Sequence, residues 1–422
     1  MKILAVLPHF TPDVAPTGVI GSRLVEELGA LGHRIEVVTS LPWYEHHAVE
    51  PQWRGKMVRH ERTPWGRITR VHPFPTGDKQ NIPKRAVGFA GFCALTATIA
   101  AAGRRVDVAF AMTPPLPMAA TGWLASLPRR APLVLNVQDV FPDVAVELGV
   151  LRGRRVIAAA STLERWSYAR SAAVTVLSDD MRANLAAKMR RPERLHVIPN
   201  FVDVEAIRPI DRENSYRAEF GLSGKTVVMY AGNVGMSQSL DLLVAAARAT
   251  RDRDDIVYVV NGGGSTLADL QTSANGLPNM RFVPMQPYER LPELLAAADL
   301  HVVPLKRELS RSSVPSKTYS ILAAGRPVLA SVDEGSEVQR IVEAAGAGVA
   351  VPPEDASAFT AALIGLIDDG ARREQMEKSG RAYVESAASP RAVAEAYQSL
   401  FASLAVERRS VRQRENNFDP MT

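Results

Sequence analysis

Residues 312–330 place a lysine at the predicted start of a helix, in the sequence SSVPSKTYSILAAGRPVLA. Ser316 can cap the turn that follows it, Gly325 can end the helix, and a buried strand is predicted after Pro327. Lys317 then lies in the first helical turn, where the helix dipole disfavours a cation unless an anion is bound beside it. The segment therefore predicts an anion-binding lysine, with a solvated lysine on an ordinary helix as the alternative.

A second candidate follows the first predicted strand, where residues 8–21 read PHFTPDVAPTGVIG. Thr17, Gly18 and Gly21 open a predicted helix, whose start offers amides to an anion, and the glycines allow the backbone to approach a ligand closely. A plain strand-to-helix loop is the alternative. The loop does not read Gly-x-Gly-x-x-Gly, which argues against a dinucleotide cofactor.

Three loops in the second half of the chain follow predicted strands, and in an open α/β sheet such loops line the ligand site. We expect amides of the first loop to hold a phosphate, glycines of the second to allow close approach, and the third to hold sugar hydroxyls. Turns that bind nothing, and a glutamate that only stabilises its helix, are the alternatives. The candidate residues are Gly232, Asn233 and Gly235 in the first loop, Gly263 in the second, and Gly335, Ser336 and Glu337 in the third.

Asp139 follows another predicted buried strand and could orient a substrate hydroxyl, whereas Asp139 and Asp143 could equally cap the next turn.

Metal-binding patterns are weak. The pair His46-His47 has no third ligand at a telling distance, and Asp252-Arg253-Asp254 lies in a charged connection that we expect to be solvated. We therefore expect neither a metal nor a cofactor.

The composition is that of a folded protein with two domains. The chain has 422 residues, of which 46% are hydrophobic and 23% charged, and this length is too great for one ordinary core. The single cysteine, Cys93, excludes an internal disulfide and fits a reducing compartment. A formal charge of +5 and a pI of 9.3 suit anionic ligands or membranes, and without a nucleic-acid-binding motif we expect no nucleic-acid partner. The start of the chain predicts a strand rather than a signal peptide.

Alternating strand and helix patterns run through both halves of the chain. We therefore predict an α/β fold of two doubly wound, Rossmann-like domains facing across a cleft. Pro209, several charges and Gly221 interrupt the pattern, and we place the domain linker there. The expected boundaries are 1–205 and 206–387, followed by an amphipathic helix at 388–406 and a charged tail at 407–422 that we expect to be mobile.

The uncharged, largely apolar run 86–102 is flanked by Lys84-Arg85 and Arg104-Arg105. A spanning helix needs about 20 apolar residues, so this run is too short to cross a bilayer. A buried helix of the first domain is one interpretation. Contact of residues 84–105 with an anionic membrane surface is the other, because basic flanks would meet anionic headgroups.

The segment around Lys317 resembles the donor-binding signature of the retaining glycosyltransferases of the GT4 family. The string Ile198-Pro-Asn-Phe-Val-Asp203 is common in the same family, and the likeness spans roughly Met1 to Val406. It is greatest to the branch that builds bacterial surface polysaccharides such as colanic acid and O-antigen, which includes fucose and N-acetylfucosamine transferases. The resemblance implies the GT-B architecture, with the acceptor on the first domain, the donor on the second, and the last helix crossing back to the first.

The resemblance also implies roles for individual residues. It makes Lys317 and Asp139 catalytic, and it assigns Thr17, Gly18 and Gly21 to the acceptor and diphosphate loop. The implied donor contacts are Gly232, Asn233, Gly235, Gly263, Lys306, Ser316, Lys317, Ser320, Gly335, Ser336 and Glu337.

This chain departs from the family pattern at several of its motifs. Asn233 and Gln238 stand where the family commonly has an arginine and a lysine, and the positions of the family's Glu-x7-Glu pair fall near Ser312 and Ser320. Gln138 stands where the family usually has a histidine. We therefore expect Lys317, helped by Lys306, to neutralise the donor diphosphate.

The activity implied is metal-independent transfer of a sugar from a nucleotide diphosphate sugar, UDP rather than GDP. The implied acceptor is a glycan or a polyprenyl-diphosphate-linked glycan at the cytoplasmic, inner face of the plasma membrane. Three alternatives stay open: a sugar-nucleotide epimerase or hydrolase with the same fold, a non-catalytic glycosyltransferase-like subunit, and an NAD-dependent oxidoreductase.

Overall fold

The computed structural model describes residues 1–13, 15–45, 47–75, 82–147, 151, 153–307 and 317–416. It divides into two units, of which unit 1 is Met1–Pro199 together with the chain from Val393, and unit 2 is Asn200–Ala392. The division falls at residues 199 and 200, a little ahead of the boundary after residue 205 that the sequence predicted.

Unit 1 is built on an eight-stranded sheet in the order β3-β4-β2-β1-β5-β6-β7-β8, parallel except for β3. Its strands are β1 (Lys2–Val6), β2 (Arg34–Ser40), β3 (Val58–Thr63), β4 (Gly66–Val71), β5 (Val108–Thr113), β6 (Leu133–Val137), β7 (Ala173–Val176) and β8 (Leu195–Val197). Its helices up to Pro199 are α1 (Pro16–Ala30), α2 (Ile82–Ala101), α3 (Pro117–Arg129), α4 (Asp143–Glu147), α5 (Arg154–Arg170) and α6 (Asp179–Lys188). The central strands are buried on both faces, which is why they read as continuous apolar runs.

The hairpin of β3 and β4 is a feature that the sequence analysis did not identify. The strands pair antiparallel, from Val58 opposite Val71 to Thr63 opposite Gly66, at one edge of the sheet. β3, whose sequence is VRHERT, carries Arg59, Glu61 and Arg62 and has no fully buried residue, because it lies at the edge of the sheet. The pattern therefore lacked the apolar run that marked the buried strands.

Unit 2 is a six-stranded parallel sheet in the order β11-β10-β9-β12-β13-β14. Its strands are β9 (Thr226–Ala231), β10 (Ile256–Asn261), β11 (Met280–Val283), β12 (Leu300–Pro304), β13 (Val328–Ser331) and β14 (Gly348–Val351). Its helices are α7 (Ser215–Phe220), α8 (Asp241–Ala249), α9 (Leu267–Ser273), α10 (Leu291–Ala296), α11 (Lys317–Ala323), α12 (Glu337–Ala344), α13 (Ala356–Asp368) and α14 (Gly370–Ala387). Two apolar clusters, one on each face of this sheet, form its core.

The last helix, α15 (Pro390–Asn416), joins unit 1 from Val393 onward. The buried Tyr397 hydroxyl lies 2.9 Å from Asn136 Nδ2 and 3.1 Å from Thr175 Oγ1, and Phe401 packs edge-on against Phe110. The helix continues to Asn416, where the sequence analysis expected a mobile tail from residue 407. Arginine, glutamate and glutamine, which dominate 407–416, are good helix formers and extend the helix past its buried part.

The apolar run 86–102 forms most of α2. Phe92 and Ala100 on α2 are buried in the core of unit 1, whereas Val87 is exposed. Among the described residues, no helix combines the length and apolarity needed to cross a membrane.

Tyr397→Phe should destabilise unit 1, because it removes the hydroxyl that Asn136 and Thr175 contact inside the protein. Leaving these buried groups without their partner should lower the free energy of unfolding by about 1–3 kcal/mol. Urea denaturation followed by circular dichroism measures the change. Tyr44→Phe, at an exposed tyrosine of the same unit, is the matched control and should change stability by less than about 0.5 kcal/mol. Equal midpoints for Tyr397→Phe and the parent protein would contradict the structural role of α15.

Candidate functional site

Lys317 is the first residue of α11 and lies against Tyr230, the penultimate residue of β9. Its Nζ lies 4.3 Å from the centre of the tyrosine ring and donates to the phenol oxygen at 3.1 Å. The same phenol donates to the carbonyl of Asn233 at 2.5 Å, which fixes the position of its oxygen. Tyr230 therefore holds the lysine at the carboxyl end of the central strand of unit 2.

Burial of the Lys317 ammonium lowers its pKa to about 8, because the charged form loses water. Within the described part of the chain, the Lys317 ammonium bonds to the Tyr230 hydroxyl and forms no ion pair with a carboxylate. A cation in such a place gains free energy when an anion binds beside it. The geometry is compatible with an anion at this end of the sheet, and the role of Lys317 stays a prediction.

Two glycine loops interlock beside Lys317. A Cβ atom added at Gly262 would lie 1.9 Å from the carbonyl oxygen of Gly232, and one at Gly264 would lie 2.2 Å from that of Val234. Gly232 itself leaves room for the lysine, since a Cβ there would lie 3.3 Å from its Nζ. Gly263 differs from its neighbours because a Cβ there would meet nothing within 4 Å.

The loop at residues 232–238 does not present its amides as the sequence analysis expected. The amide of Gly232 donates to Asn261 O, that of Val234 to Gly263 O, and that of Gly235 to Gln238 Oε1, at 2.9–3.0 Å. These hydrogen bonds close the loop onto its neighbours, so these three amides are not available to a phosphate. The first turn of α8 also begins only at Asp241, several residues after the glycines.

The side chains of this loop differ in how they are placed. Asn233 is exposed, and Gln238 is engaged with Gly235 and with Ser237 Oγ at 2.8 Å. Lys306 is anchored next to the loop by its backbone, since its amide donates to Ser237 O at 3.0 Å, and its side chain is exposed. An exposed lysine attracts an anion weakly, because water screens its charge.

The loop before α12 has a structural role in the described residues. Ser336 caps α12 by accepting from the Gln339 amide at 3.4 Å, and Gly335 takes a φ of 71°. Glu337 pairs with Arg340 at 2.8 Å and is largely buried. This arrangement matches the alternative in which the glutamate stabilises its own helix, and it leaves one carboxylate engaged before any sugar binds.

The remaining donor candidates are divided between described and undescribed residues. Ser320 is half-buried on α11, and because it follows Lys317 by three positions it shares that face of the helix. Ser316 and Ser312, which the sequence analysis named, lie outside the described residues.

In unit 1, the loop after β1 contains a buried side-chain pair that the sequence pattern alone did not reveal. His9 Nδ1 lies 2.7 Å from Asp13 Oδ2, and Asp13 Oδ1 accepts from the Tyr44 amide at 3.1 Å. The His9 ring stacks on Trp43, with centroids 5.7 Å apart. The His-x-x-x-Asp spacing directly after a strand was the available signal.

Gly18 has a packing reason that differs from the expected phosphate contact. A Cβ atom at Gly18 would lie 2.8 Å from the Cβ atom of His9, so the glycine makes room for the His9–Asp13 pair. Gly21 lies against the Leu7 side chain, and Thr17 is half-buried in the first turn of α1. The Gly-x-x-Gly pattern therefore brings α1 close to the end of β1.

Asp139 lies just past the end of β6, with an exposed side chain. The surrounding protein partly desolvates the carboxylate, which raises its pKa. Gln138, the residue before it, is held inside by a 2.7 Å bond from its Nε2 to Asn136 Oδ1. Asp143 instead accepts from Lys188 at 2.7 Å.

The acidic pattern at residues 252–254 behaves as a solvated connection. Arg253 pairs with Asp255 at 2.8 Å and with Asp368 at 3.2 Å, at the surface of unit 2. Among the described residues, no three His, Cys, Asp or Glu side chains are grouped so as to hold a metal ion.

Comparison with known protein families matches both units. Residues 18–200 match the family described as Glycosyl transferase 4-like domain, and residues 225–369 match the family described as Glycosyl transferases group 1. The two matches together cover well over half of the chain.

Two curated proteins are similar over most of the chain. The putative colanic acid biosynthesis glycosyl transferase WcaI of Escherichia coli K12 is 28% identical over 374 residues, 86% of this chain and 91% of that protein. The probable glycosyltransferase WbjE of Pseudomonas aeruginosa is 28% identical over 303 residues, 70% of this chain and 74% of that protein.

Solved structures show the same fold at low sequence identity. Sucrose-phosphate synthase from Thermosynechococcus elongatus has a TM-score of 0.66 at 20% identity, covering 96% of this chain and all 100% of that one. Anabaena HepE in complex with UDP-glucose has a TM-score of 0.63 at 16% identity, with coverages of 96% and 100%. Likeness at these identities concerns the fold alone.

Gly262→Ala should destabilise unit 2, whereas Gly263→Ala should not. The first substitution forces a side chain into a φ of 156° and onto the Gly232 carbonyl, and should lower the free energy of unfolding by about 2 kcal/mol or more. The second points into open space. Urea denaturation of both variants measures the difference. Two equally stable variants would contradict the interlocked loops.

Proposed function

Since this chain belongs to the GT4 family of glycosyltransferases and has the GT-B fold, we propose that it moves a sugar from a nucleoside diphosphate sugar to a glycan or polyprenyl-diphosphate-linked acceptor. The transfer retains the configuration of the anomeric carbon. Its place is the assembly of a cell-surface polysaccharide at the inner face of the plasma membrane.

The observation that carries this proposal is the half-buried ammonium of Lys317 at the end of the unit 2 sheet, which has no carboxylate partner among the described residues. Departure of a nucleoside diphosphate leaves negative charge on its terminal phosphate, and a fixed cation stabilises that charge. Lys317 is held by Tyr230 at 3.1 Å, so it does not need to reorganise when the charge develops. The exposed Lys306 adds a weaker attraction to the same anion.

The proposed step needs no strong general base. The bond between the anomeric carbon and the phosphate oxygen breaks, and the bond from the acceptor oxygen to that carbon forms on the same face. The acceptor hydroxyl gives its proton to the departing phosphate oxygen, so charge and atoms balance. Asp139 then has an orienting role for the acceptor hydroxyl, which its exposed position after β6 allows.

The donor and the acceptor are proposed from relatives rather than from a bound ligand. HepE has been solved with UDP-glucose, and WcaI is described as a colanic acid biosynthesis enzyme. We propose UDP as the nucleotide for that reason, and a surface glycan on a lipid carrier as the acceptor.

A thermal-shift screen with UDP-sugars and GDP-sugars tests the donor class. A UDP-sugar should raise the melting temperature, and stabilisation by GDP-sugars alone would overturn the choice of nucleotide. Product analysis without an acceptor then separates the alternatives. Rapid release of UDP with free sugar indicates a hydrolase, interconverted sugar nucleotides indicate an epimerase, and no turnover with any acceptor indicates a non-catalytic subunit.

Lys317→Ala should lower turnover by about 100-fold or more, because the cation that stabilises the leaving phosphate is lost. Lys317→Arg keeps a positive charge and should retain more activity than the alanine variant. Steady-state kinetics with circular dichroism as a folding check measures both. A folded alanine variant with unchanged turnover would show that the phosphate is neutralised elsewhere.

The Lys317 pKa of about 8 also predicts the pH dependence of activity. The buried lysine loses its proton at a lower pH than an ordinary lysine, so kcat/KM for the donor should fall as pH rises through about 8. In Lys317→Arg this fall should disappear, since a guanidinium stays protonated. An identical alkaline limb in both enzymes would assign it to another group.

Activity should survive chelation by EDTA, because charge compensation is assigned to side chains. The measurement compares initial rates before and after dialysis against EDTA, with a manganese-dependent glycosyltransferase treated in parallel as the control. Loss of turnover that manganese restores would contradict metal independence and would point to an undetected metal site.

A further inference from the structure

The outer sides of α2, α3 and α5 form one continuous surface of unit 1, which we call the α2–α3–α5 face. The crossovers from β4 to β5, β5 to β6 and β6 to β7 all advance in one direction across the sheet, so right-handed connections place these helices on the same side. Direct contacts of α3 with both α2 and α5 agree with this placement.

Charge on this face is almost entirely of one sign. Across residues 82–130 the single acidic residue is Asp107, which accepts from the Lys2 amide at 2.7 Å. In α5 the single acidic residue is Glu164, which is buried and binds Lys188 at 2.9 Å. Among the described side chains of this face, the exposed basic residues are Arg104, Arg105, Arg130, Arg154, Arg155, Arg165 and Arg170.

Apolar side chains are exposed between these arginines. Val87 on α2 is 74% exposed, Leu124 and Leu127 on α3 are 48% and 52% exposed, and Val156 on α5 is 54% exposed. Exposed large apolar residues that cluster on one face mark an interaction surface. Their placement on three neighbouring helices gives a broad patch rather than a groove.

Two tryptophans lie where α3 meets α5. Trp123 and Trp166 form an edge-to-face pair with centroids 5.0 Å apart, and the Arg170 guanidinium lies 5.3 Å and 6.0 Å from their rings. Tryptophan and arginine together are typical of the boundary between lipid headgroups and acyl chains, where a flat ring and a charged end both find partners.

The helices run antiparallel to the strands, so their arginines separate to two ends of the face. Arg104, Arg105 and Arg130 follow the carboxyl ends of α2 and α3, and Arg170 is the last residue of α5. At the other end of the face, Arg154 and Arg155 begin α5. Because α2 has 20 residues, its two basic flanks are about 30 Å apart. Basic residues thus border an apolar centre on opposite sides, which suits contact along the helices rather than insertion end-on.

We propose that the α2–α3–α5 face docks flat on an anionic lipid bilayer. The occupant follows from the charge: among the side chains that the structure describes, this face has seven exposed arginines and no exposed glutamate. It therefore complements anionic headgroups, and its apolar centre reaches the acyl boundary. The proposal extends the membrane contact expected for residues 84–105 to two further helices. It stands on this face alone and does not depend on the sugar or the acceptor.

Co-sedimentation with vesicles of phosphatidylcholine and about one third phosphatidylglycerol tests the proposal at low salt. Each arginine near the surface contributes about a fivefold factor to binding, so Arg154→Glu/Arg155→Glu/Arg165→Glu should weaken it by about 100-fold or more. The matched control reverses three exposed arginines of unit 2, Arg208→Glu/Arg251→Glu/Arg372→Glu, and should bind within about twofold of the parent protein. Added salt should release the parent protein.

The apolar part of the face needs its own variant. Leu124→Ser/Leu127→Ser should weaken binding at low salt without changing the net charge, since less apolar surface enters the headgroup boundary. Analytical ultracentrifugation of the parent protein and this variant should give the same oligomeric state. Transfer to a water-soluble acceptor should be unchanged in the α5 variant, which separates a failure of docking from a failure of the proposed activity.

Two results with vesicles would overturn the proposal: a parent protein that stays in the supernatant at low salt, or a unit 2 control that loses binding as much as the α5 variant does. A third would be a Leu124→Ser/Leu127→Ser variant that binds vesicles normally but changes its oligomeric state. The last would assign the face to contact between copies of this chain.

Discussion

The arrangement of unit 2 depends on placing one ammonium group in a partly dehydrated position. Lys317 has a neutral phenol where a carboxylate would have satisfied it, and burial lowers its pKa to about 8. A protein that needed only stability would gain from pairing or exposing this charge. Binding of an anion beside the ammonium would stabilise it, which is why we propose an anionic ligand there, and Gly232 leaves the space that the lysine side chain needs.

That space is made by backbone atoms rather than by side chains. The carbonyls of Gly232 and Val234 lie where Cβ atoms of Gly262 and Gly264 would be, so the loops after β9 and β10 pack as bare backbone. Their hydrogen bonds consume amides that a phosphate could have used. The loops after β9 and β10 therefore hold the backbone in place, and Lys317 supplies the positive charge.

The strands and the two-unit organisation were predictable because parallel strands buried on both faces read as apolar runs. Leu133–Val137 and Leu300–Pro304 are such strands, since both are buried along their whole length. The hairpin of β3 and β4 was not predictable in this way, because β3 lies at the edge of the sheet and carries charged residues instead of an apolar run. Gly18 and Glu337 show a second limit. A glycine that accommodates a histidine and a glutamate that pairs with Arg340 look the same in sequence as ligand-binding residues, since the partner that decides between the two roles is brought in by folding.

The same limit applies to Asp139, whose surroundings depend on a part of the chain more than 250 residues away. Tyr397 on α15 contacts Asn136, Asn136 Oδ1 accepts from Gln138, and Gln138 precedes Asp139. The chain leaves unit 2 after Ala392, and α15 then supports the end of β6, which is followed by Asp139. Replacing the family's histidine by Gln138 does not leave an empty position, because the glutamine amide bonds inward to the sheet. At this strand end Asp139 is exposed to solvent, whereas Gln138 bonds inward to Asn136 and helps to hold the strand end in place.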